Sequence, residues 1–250
     1  MIRRHLTLLA LLCAPLMAWS QAYPNKPIRL VVPYAPGGAV DSLARPVAQK
    51  LSEILGQPVI VDNRGGGGNV YGDLVAKSAP DGHTLLVTGN SFWTGPLLRK
   101  APFDPIADFS TITLATTSPN VIVVHPSLPV KTVQDLIALA KQRPNQLNFS
   151  SSGQGALGHL SGALLNATAG INTVHIPYKG AAPAMQDLLS GVVDLSFESS
   201  LTNTVANYNS GRLKVLATTG SKRVPILGNI PTVSESGYPG FVAQGWFGFF

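Results

Sequence analysis

Two stretches of the chain join glycines, hydroxyls and a helix start in the way that holding a small anion requires. The first is Pro33-Tyr34-Ala35-Pro36-Gly37-Gly38-Ala39-Val40-Asp41, between an apolar run and an amphipathic one. Paired glycines let the backbone turn sharply and approach a ligand closely. The N–H groups that open the following helix have no acceptor within it and attract negative charge. The second is Ser150-Ser151-Ser152-Gly153-Gln154-Gly155-Ala156, in the same setting, with hydroxyls added. Each also has a plain structural reading: a tight strand–helix turn with Asp41 as cap, and a polar surface loop. The two readings are compatible, because a cap leaves other N–H groups free. One such device in each half of the chain can clamp a carboxylate between them. Tyr34, Pro36, Gly37, Gly38 and Asp41 are therefore the candidates on the first loop, and Ser151, Ser152, Gly153 and Gly155 on the second.

Other chemistry is thinly supported. Neither loop has the Gly-Lys-Ser/Thr ending of a phosphate loop or the Gly-x-Gly-x-x-Gly dinucleotide spacing. His159 follows the second loop by one turn and is either a ligand contact or a structural imidazole. A secreted serine hydrolase using Ser152 and His159 is an alternative, but the Gly-x-Ser-x-Gly elbow is absent. No second histidine or carboxylate stands at metal-ligand spacing, so neither a metal nor another cofactor is expected. Lys179-Gly180 ends a strand and enters a helix, where the ammonium either pairs with an anion or points to solvent. Glu198 ends another strand, where it would repel a carboxylate but accept from a ligand hydroxyl or amine. Phe92 and Trp93 are aromatic candidates for a flat ligand. Gly65-Gly66-Gly67-Gly68 reads as a flexible turn.

These loops need a frame, and the patterning supplies one. Apolar strands read at Ile28–Val32, Val59–Val61 and Thr84–Thr88, with helices at Asp41–Leu55 and Asn69–Ser78 between them. Gly56 is placed to end the first helix, and Pro46 falls near its first turn. After a strand at Val121–Val124 the alternation resumes. Thr132-Val133-Gln134-Asp135 is a capping box with Asp in place of Glu. Helices then read at Ala156–Ala169 and Ala182–Leu189, and strands at Thr173–Ile176, Val192–Phe197 and Leu213–Ala217. This alternation predicts an α/β protein of two lobes, each a mostly parallel sheet flanked by helices, with the ligand cleft between them. Lobe 1 is expected over 23–124 and 226–250, and lobe 2 over 125–225.

The 250 residues are 45% hydrophobic and 12% charged, which excludes a disordered chain. The formal charge of +6 is scattered and forms no basic patch, so nucleic acid is not an expected partner. Met1 to Ala22 has a basic start, an apolar run from Leu6 to Met17 and small residues at Ser20 and Ala22. That is a secretory signal peptide, cut after Ala22, which predicts a periplasmic protein. The only cysteine, Cys13, falls inside it, so disulfides and thiolate chemistry are excluded from the mature chain.

Seven stretches in order resemble one family. They are Tyr23-Pro24 with Lys26-Pro27-Ile28; Pro33 to Gly38 with Asp41 and Ala44-Arg45; Asn63-Arg64 before the glycines; Ala79-Pro80-Asp81-Gly82 with Thr84-Leu85-Leu86; Ser151-Ser152-Gly153 with His159-Leu160; His175 to Gly180; and Pro231-Thr232-Val233 with Glu235-Ser236-Gly237. Together they resemble the substrate-binding proteins of tripartite tricarboxylate transporters, the Bug proteins. The resemblance implies the two-lobed periplasmic-binding-protein fold of type II and no catalysis. It implies a di-, tri- or aromatic carboxylate held by both loops, delivered by a monomer to two integral membrane subunits. A sensor that presents its ligand to a membrane kinase would carry the same residues. The family pattern continues past Trp246, so the resemblance also implies a chain shortened at its C-terminus.

Overall fold

The computed structural model describes residues 22–65 and 68–250. The expected signal segment and its Cys13 lie outside the described residues, as do Gly66 and Gly67. Among the described residues no helix is long and apolar enough to cross a membrane.

Two five-stranded sheets form the frame. The first contains β1 (Ile28–Val32), β2 (Val59–Asn63), β3 (Thr84–Gly89), β4 (Thr113–Pro119) and β10 (Gln244–Phe249), in the order β2-β1-β3-β10-β4. The second contains β5 (Val121–Val124), β6 (Asn148–Ser151), β7 (Val174–Pro177), β8 (Leu195–Glu198) and β9 (Lys214–Thr218), in the order β7-β6-β8-β5-β9. Each sheet is parallel except for one strand, β10 in the first and β5 in the second, which runs antiparallel to both neighbours. Helices α1 (Ala39–Leu55), α2 (Gly68–Ala76) and α3 (Ser91–Leu98) cover the first sheet. Helices α4 (Val133–Gln142), α5 (Leu157–Ala169), α6 (Ala181–Leu189) and α7 (Leu201–Asn209) cover the second.

Strands β1, β3 and β5 are buried on both faces, which is why they read as continuous apolar runs rather than alternating ones. In the second lobe Ile122, Phe149, Leu195 and Phe197 pack with Leu136 and Leu165 on one side. Val121, Val123, Met185, Leu188 and Val215 pack on the other. In the first lobe Leu30, Val32 and Val87 meet Val40 and Ala44 of α1, while Val31, Leu86, Phe92, Phe103 and Phe250 form an aromatic layer opposite.

Several local expectations needed adjustment. Helix α1 begins at Ala39, so Pro46 lies about two turns inside it. Pro46 and Ser42, whose carbonyl loses its partner, are both exposed, and water can satisfy that carbonyl. The buried row of α1 is Val40, Asp41, Ala44 and Ala48, while Ile54 near its end is exposed. Gly56 adopts the left-handed φ of 67° that ends the helix. The capping box is complete: the Thr132 hydroxyl accepts from Asp135 N–H, and the Asp135 carboxylate accepts from Thr132 N–H.

The seam between lobes falls at Pro119–Asn120, not at His125, because β5 hydrogen-bonds into the second sheet. Residues after Pro225 also stay with the second lobe. Val233 and Phe241 are buried in its core, and only β10 returns to the first sheet. One residue braces both crossings. Thr219 N–H donates to the Asn120 carbonyl at 2.9 Å, and its hydroxyl oxygen accepts from Asn120 N–H at 2.9 Å. The same hydroxyl donates to the Ala243 carbonyl at 2.6 Å, and Ala243 N–H donates to the Thr219 carbonyl at 2.7 Å. Thr219 is fully buried. Thr219→Val keeps the shape and strands the buried Asn120 N–H, so urea unfolding should show a loss of about 1–3 kcal/mol with an unchanged m-value.

Candidate functional site

The two loops singled out in the sequence face each other across the seam. Three helices that start there, α1 after Gly38, α5 after Ala156 and α6 after Gly180, have no side-chain cap. Their first N–H groups open on a cleft lined by Gly38, Ala39 and Val40, by Ala156, Leu157 and Gly158, and by Ala181. Tyr34, Asn90, Ser91, Ser118, Ser152 and Ser199 add neutral polar groups to the same lining. Among the described residues no Lys, Arg, His, Asp or Glu side chain lines it. Negative charge placed there would meet N–H and O–H donors and positive helix ends, with no cation to desolvate.

Small residues let the lobes shut. Ala35 N–H donates to the Lys179 carbonyl at 3.0 Å, Asn203 Nδ2 donates to the Gly37 carbonyl at 2.9 Å, and Thr94 Oγ1 donates to the Gly155 carbonyl at 2.6 Å. A Cβ on Gly180 would stand 2.9 Å from Ala35 N, and its φ of 147° lies where side chains are strained. A Cβ on Gly245 would meet Leu157 Cδ2 at 2.8 Å and Asn90 Oδ1 at 2.9 Å. The cavity left at the centre is about 40 Å³, room for roughly three waters.

The first loop is braced from behind. Asp41 sits inside the first turn of α1, not at its cap, and is buried. Its carboxylate accepts from Gly37 N–H at 2.9 Å, Arg45 Nε at 2.9 Å and Asn63 Nδ2 at 2.8 Å. Burial opposes its ionisation, but Arg45, the Gly37 N–H and Asn63 outweigh that and hold the carboxyl below its usual range. Tyr34 reaches the cleft, with its hydroxyl on Ser91. Burial pushes the Tyr34 phenol up, with the Ser91 contact opposing, so it stays protonated as a donor.

The other candidates divide by place. Tyr34, Gly38 and Ser152 line the cleft. Gly37, Gly155, Lys179 through its carbonyl, and Gly180 form the lobe contact beside it. Pro36 and the Lys179 side chain are exposed outside the lining. Ser151 and Gly153 of the second loop, and His159 after it, do not line the cleft. Ser151 Oγ is 2.7 Å from His175 Nε2, and His159 Nδ1 accepts from Gly155 N–H at 3.1 Å. Glu198 is buried one residue from the lining residue Ser199 and accepts from Ser196 Oγ at 2.6 Å. Phe92 is fully buried in the aromatic layer and Trp93 packs beside it, so neither reaches the cleft. Among the hydrogen bonds of the described residues none joins Ser152 to His159, whose Nδ1 accepts from Gly155 N–H. Asn90, Ser91, Ser118 and Ser199 were not anticipated. They sit at ends of strands and starts of helices, a position that carries a signal only once the strands are placed.

A family model, the tripartite tricarboxylate transporter family receptor, matches residues 43–250. BugT of Bordetella pertussis is 38% identical over 240 residues, covering 94% of this chain and 73% of BugT. Two solved structures superpose closely. Rpa4515 of R. palustris with adipate gives a TM-score of 0.84 at 37% identity, covering 91% of this chain and 77% of that one. MatC of Rhodopseudomonas palustris with bound malate gives 0.86 at 31% identity, with 91% and 78% covered. The hydrolase reading is thereby set aside, since the family is one of non-catalytic binding proteins. The chain belongs to the tripartite tricarboxylate transporter receptors, or Bug proteins: extracytoplasmic two-lobed solute-binding proteins that deliver a small carboxylate to a membrane transporter.

Proposed function

We propose that this receptor captures a linear dicarboxylate, holding one carboxylate between the starts of α1 and α5 with Ser152 and Tyr34 as hydroxyl donors. The observation that carries this reading is the uncharged cleft on which three uncapped helix starts converge. Donors that are already oriented hold a carboxylate without the desolvation cost of an ammonium or guanidinium. Two related proteins hold adipate and malate, both flexible diacids. The closed cavity of about 40 Å³ holds only a few waters, so the lobes part to admit a diacid and settle around it. Thr219 and its partners at the crossings are the natural pivot. The receptor acts as a monomer exported to the periplasm after cleavage behind Ala22, and hands its ligand to two integral membrane subunits. The mass of the secreted chain reads the cleavage site directly.

Calorimetry with adipate and malate at neutral pH is expected to show saturable binding of at least one. Ser152→Ala removes a hydrogen bond to a charged group, which corresponds to a loss of about 10- to 100-fold in affinity. No heat and no thermal shift with either diacid would count against the reading.

Closure can be tested separately. Gly180→Ala places a methyl against Ala35 and should hold the lobes apart. A larger radius of gyration by X-ray scattering in the presence of ligand is expected, with affinity reduced by about tenfold or more, since ligand selects the closed state.

Buried Glu198 and half-buried His175, both near the second loop, have opposite pH signatures. Burial pushes the Glu198 carboxyl up to about 7, with the Ser196 hydrogen bond opposing. Burial pushes His175 down to about 4, with neighbouring His159 adding to the effect. The stability linked to Glu198 is present below its unfolded value and lost as pH rises through about 7. That linked to His175 is present above its unfolded value and lost as pH falls toward about 4. Glu198→Gln removes only the first dependence. The melting temperature of the variant relative to the parent is expected to climb between pH 4.5 and 7.5. A difference that stays flat across that range would exclude a buried, titrating Glu198.

A further inference from the structure

His159 and His175 do not line the cleft, yet their hydrogen bonds fall on the residues either side of Ser152. His159 lies in α5 and His175 in β7, and their rings stack with centroids 4.1 Å apart and planes 22° apart. Phe149 of β6 stacks on the other face of His175 at 4.9 Å and 30°. The three rings form one column beneath the second loop.

Each imidazole has a definable tautomer. His159 Nδ1 accepts from Gly155 N–H at 3.1 Å, so it carries no proton and the hydrogen is on Nε2. Ser151 Oγ donates to the Gly153 carbonyl at 3.1 Å and lies 2.7 Å from His175 Nε2. A hydroxyl has one proton; with that proton on the Gly153 carbonyl, His175 Nε2–H is the donor to Ser151, and this is the assignment adopted for the pair. The same Ser151 oxygen accepts from Gly153 N–H at 3.3 Å. The column therefore fixes Gly153 through Ser151 and fixes Gly155 directly.

The loop needs this support. Gly153 has φ 144° and Gly155 has φ 75°, both in the region where only glycine is unstrained. Ser152 precedes Gly153 on the cleft wall, and Ala156, Leu157 and Gly158 follow Gly155 as the uncapped start of α5. The Gly155 carbonyl also receives Thr94 Oγ1 from the first lobe, so the gripped segment belongs to the closing contact as well.

We propose that His159 and His175 are positioning residues for ligand capture: a stacked imidazole pair that sets the Ser151–Gly155 turn so that Ser152 and the N–H groups of α5 face the ligand carboxylate. The proposal rests on the reading of the inter-lobe cleft as the carboxylate site. It assigns the histidines to the loop's shape, not to contact with the ligand.

The test uses the full chain with adipate and malate as probes, and Ser152→Ala as the control for the site itself. His159→Leu removes the acceptor for Gly155 N–H and should weaken binding about tenfold or more, whereas His159→Asn restores an acceptor at the Nδ1 position and should stay within about threefold of the parent. The ligand-free melting temperatures of the two variants should be close. If affinity instead follows melting temperature, with both variants equally affected, the role is structural and the proposal fails. If Ser152→Ala weakens binding and His159→Leu does not, the positioning role fails while the site stands. If Ser152→Ala has no effect, the site reading falls and the proposal with it. Long-range ¹⁵N–¹H spectra of the unsubstituted protein at pH 7 give a reading that depends on neither variant nor probe. His159 is expected with Nδ1 unprotonated and His175 with Nε2 protonated. A proton on His159 Nδ1 would overturn the arrangement.

Discussion

The first N–H groups of an α-helix have no acceptor within the helix and must find one elsewhere. The chain meets this requirement in two ways, and the difference divides the molecule into scaffold and site. Away from the cleft, Thr132 and Asp135 satisfy the start of α4 with a reciprocal cap. Thr232 and Glu235 repeat the device in the turn that follows β9, with Glu235 N–H donating to Thr232 Oγ1 and Thr232 N–H donating to Glu235. At the cleft the helices α1, α5 and α6 begin on glycine or alanine and carry no such cap. An anion arriving there completes hydrogen bonding that the protein leaves open, which is why a lining without charge can favour one.

The second requirement is close approach. Backbone donors act only at short range, so both lobes must bring main chain to the same small volume. Glycine and alanine at positions 35, 37, 38, 155, 180 and 245 make that possible, since the lobes meet at these points through backbone atoms or methyl groups. The bracing lies behind the loops. Asp41 with Arg45 and Asn63 holds the first, and the ring column with Ser151 holds the second. Polar side chains in this molecule thus shape the backbone more than they present charge to a ligand.

Much of this was legible in the sequence where local chemistry is decisive. The strand–glycine–helix loops, the Thr132 box, Gly56 and the two-lobed alternation all depend on residues within a few positions of each other. What was missed depends on partners distant in the chain. β4, Thr113 to Pro119, is largely exposed and has no apolar period, and it is a strand because β10 pairs with it. α3 contains Gly95 and Pro96 and would not be read as a helix from propensity, yet Phe92 anchors it in the aromatic layer. His125 looked like a boundary because an apolar run ends there, but the covalent crossing comes earlier, where Thr219 from far along the chain ties Asn120. Asp41 was placed as a cap by its position; its carboxylate turned back to Gly37 because Arg45 and Asn63 stand on that side.

The strand order has a kinetic corollary. The first sheet is completed by a strand that returns from across the seam: β10 enters between β3 and β4 only after the whole second lobe has been traversed. Until Gln244–Phe249 arrives, β3 and β4 have no strand between them and the aromatic layer lacks Phe250. Pairings so distant in sequence form slowly, because the intervening loop must close first. The second lobe has all of its own strands by Thr218 and can mature ahead of its partner. A chain wired this way keeps its first lobe incompletely folded until Gln244–Phe249 is available, a delay well matched to a protein that must cross a membrane before it takes shape.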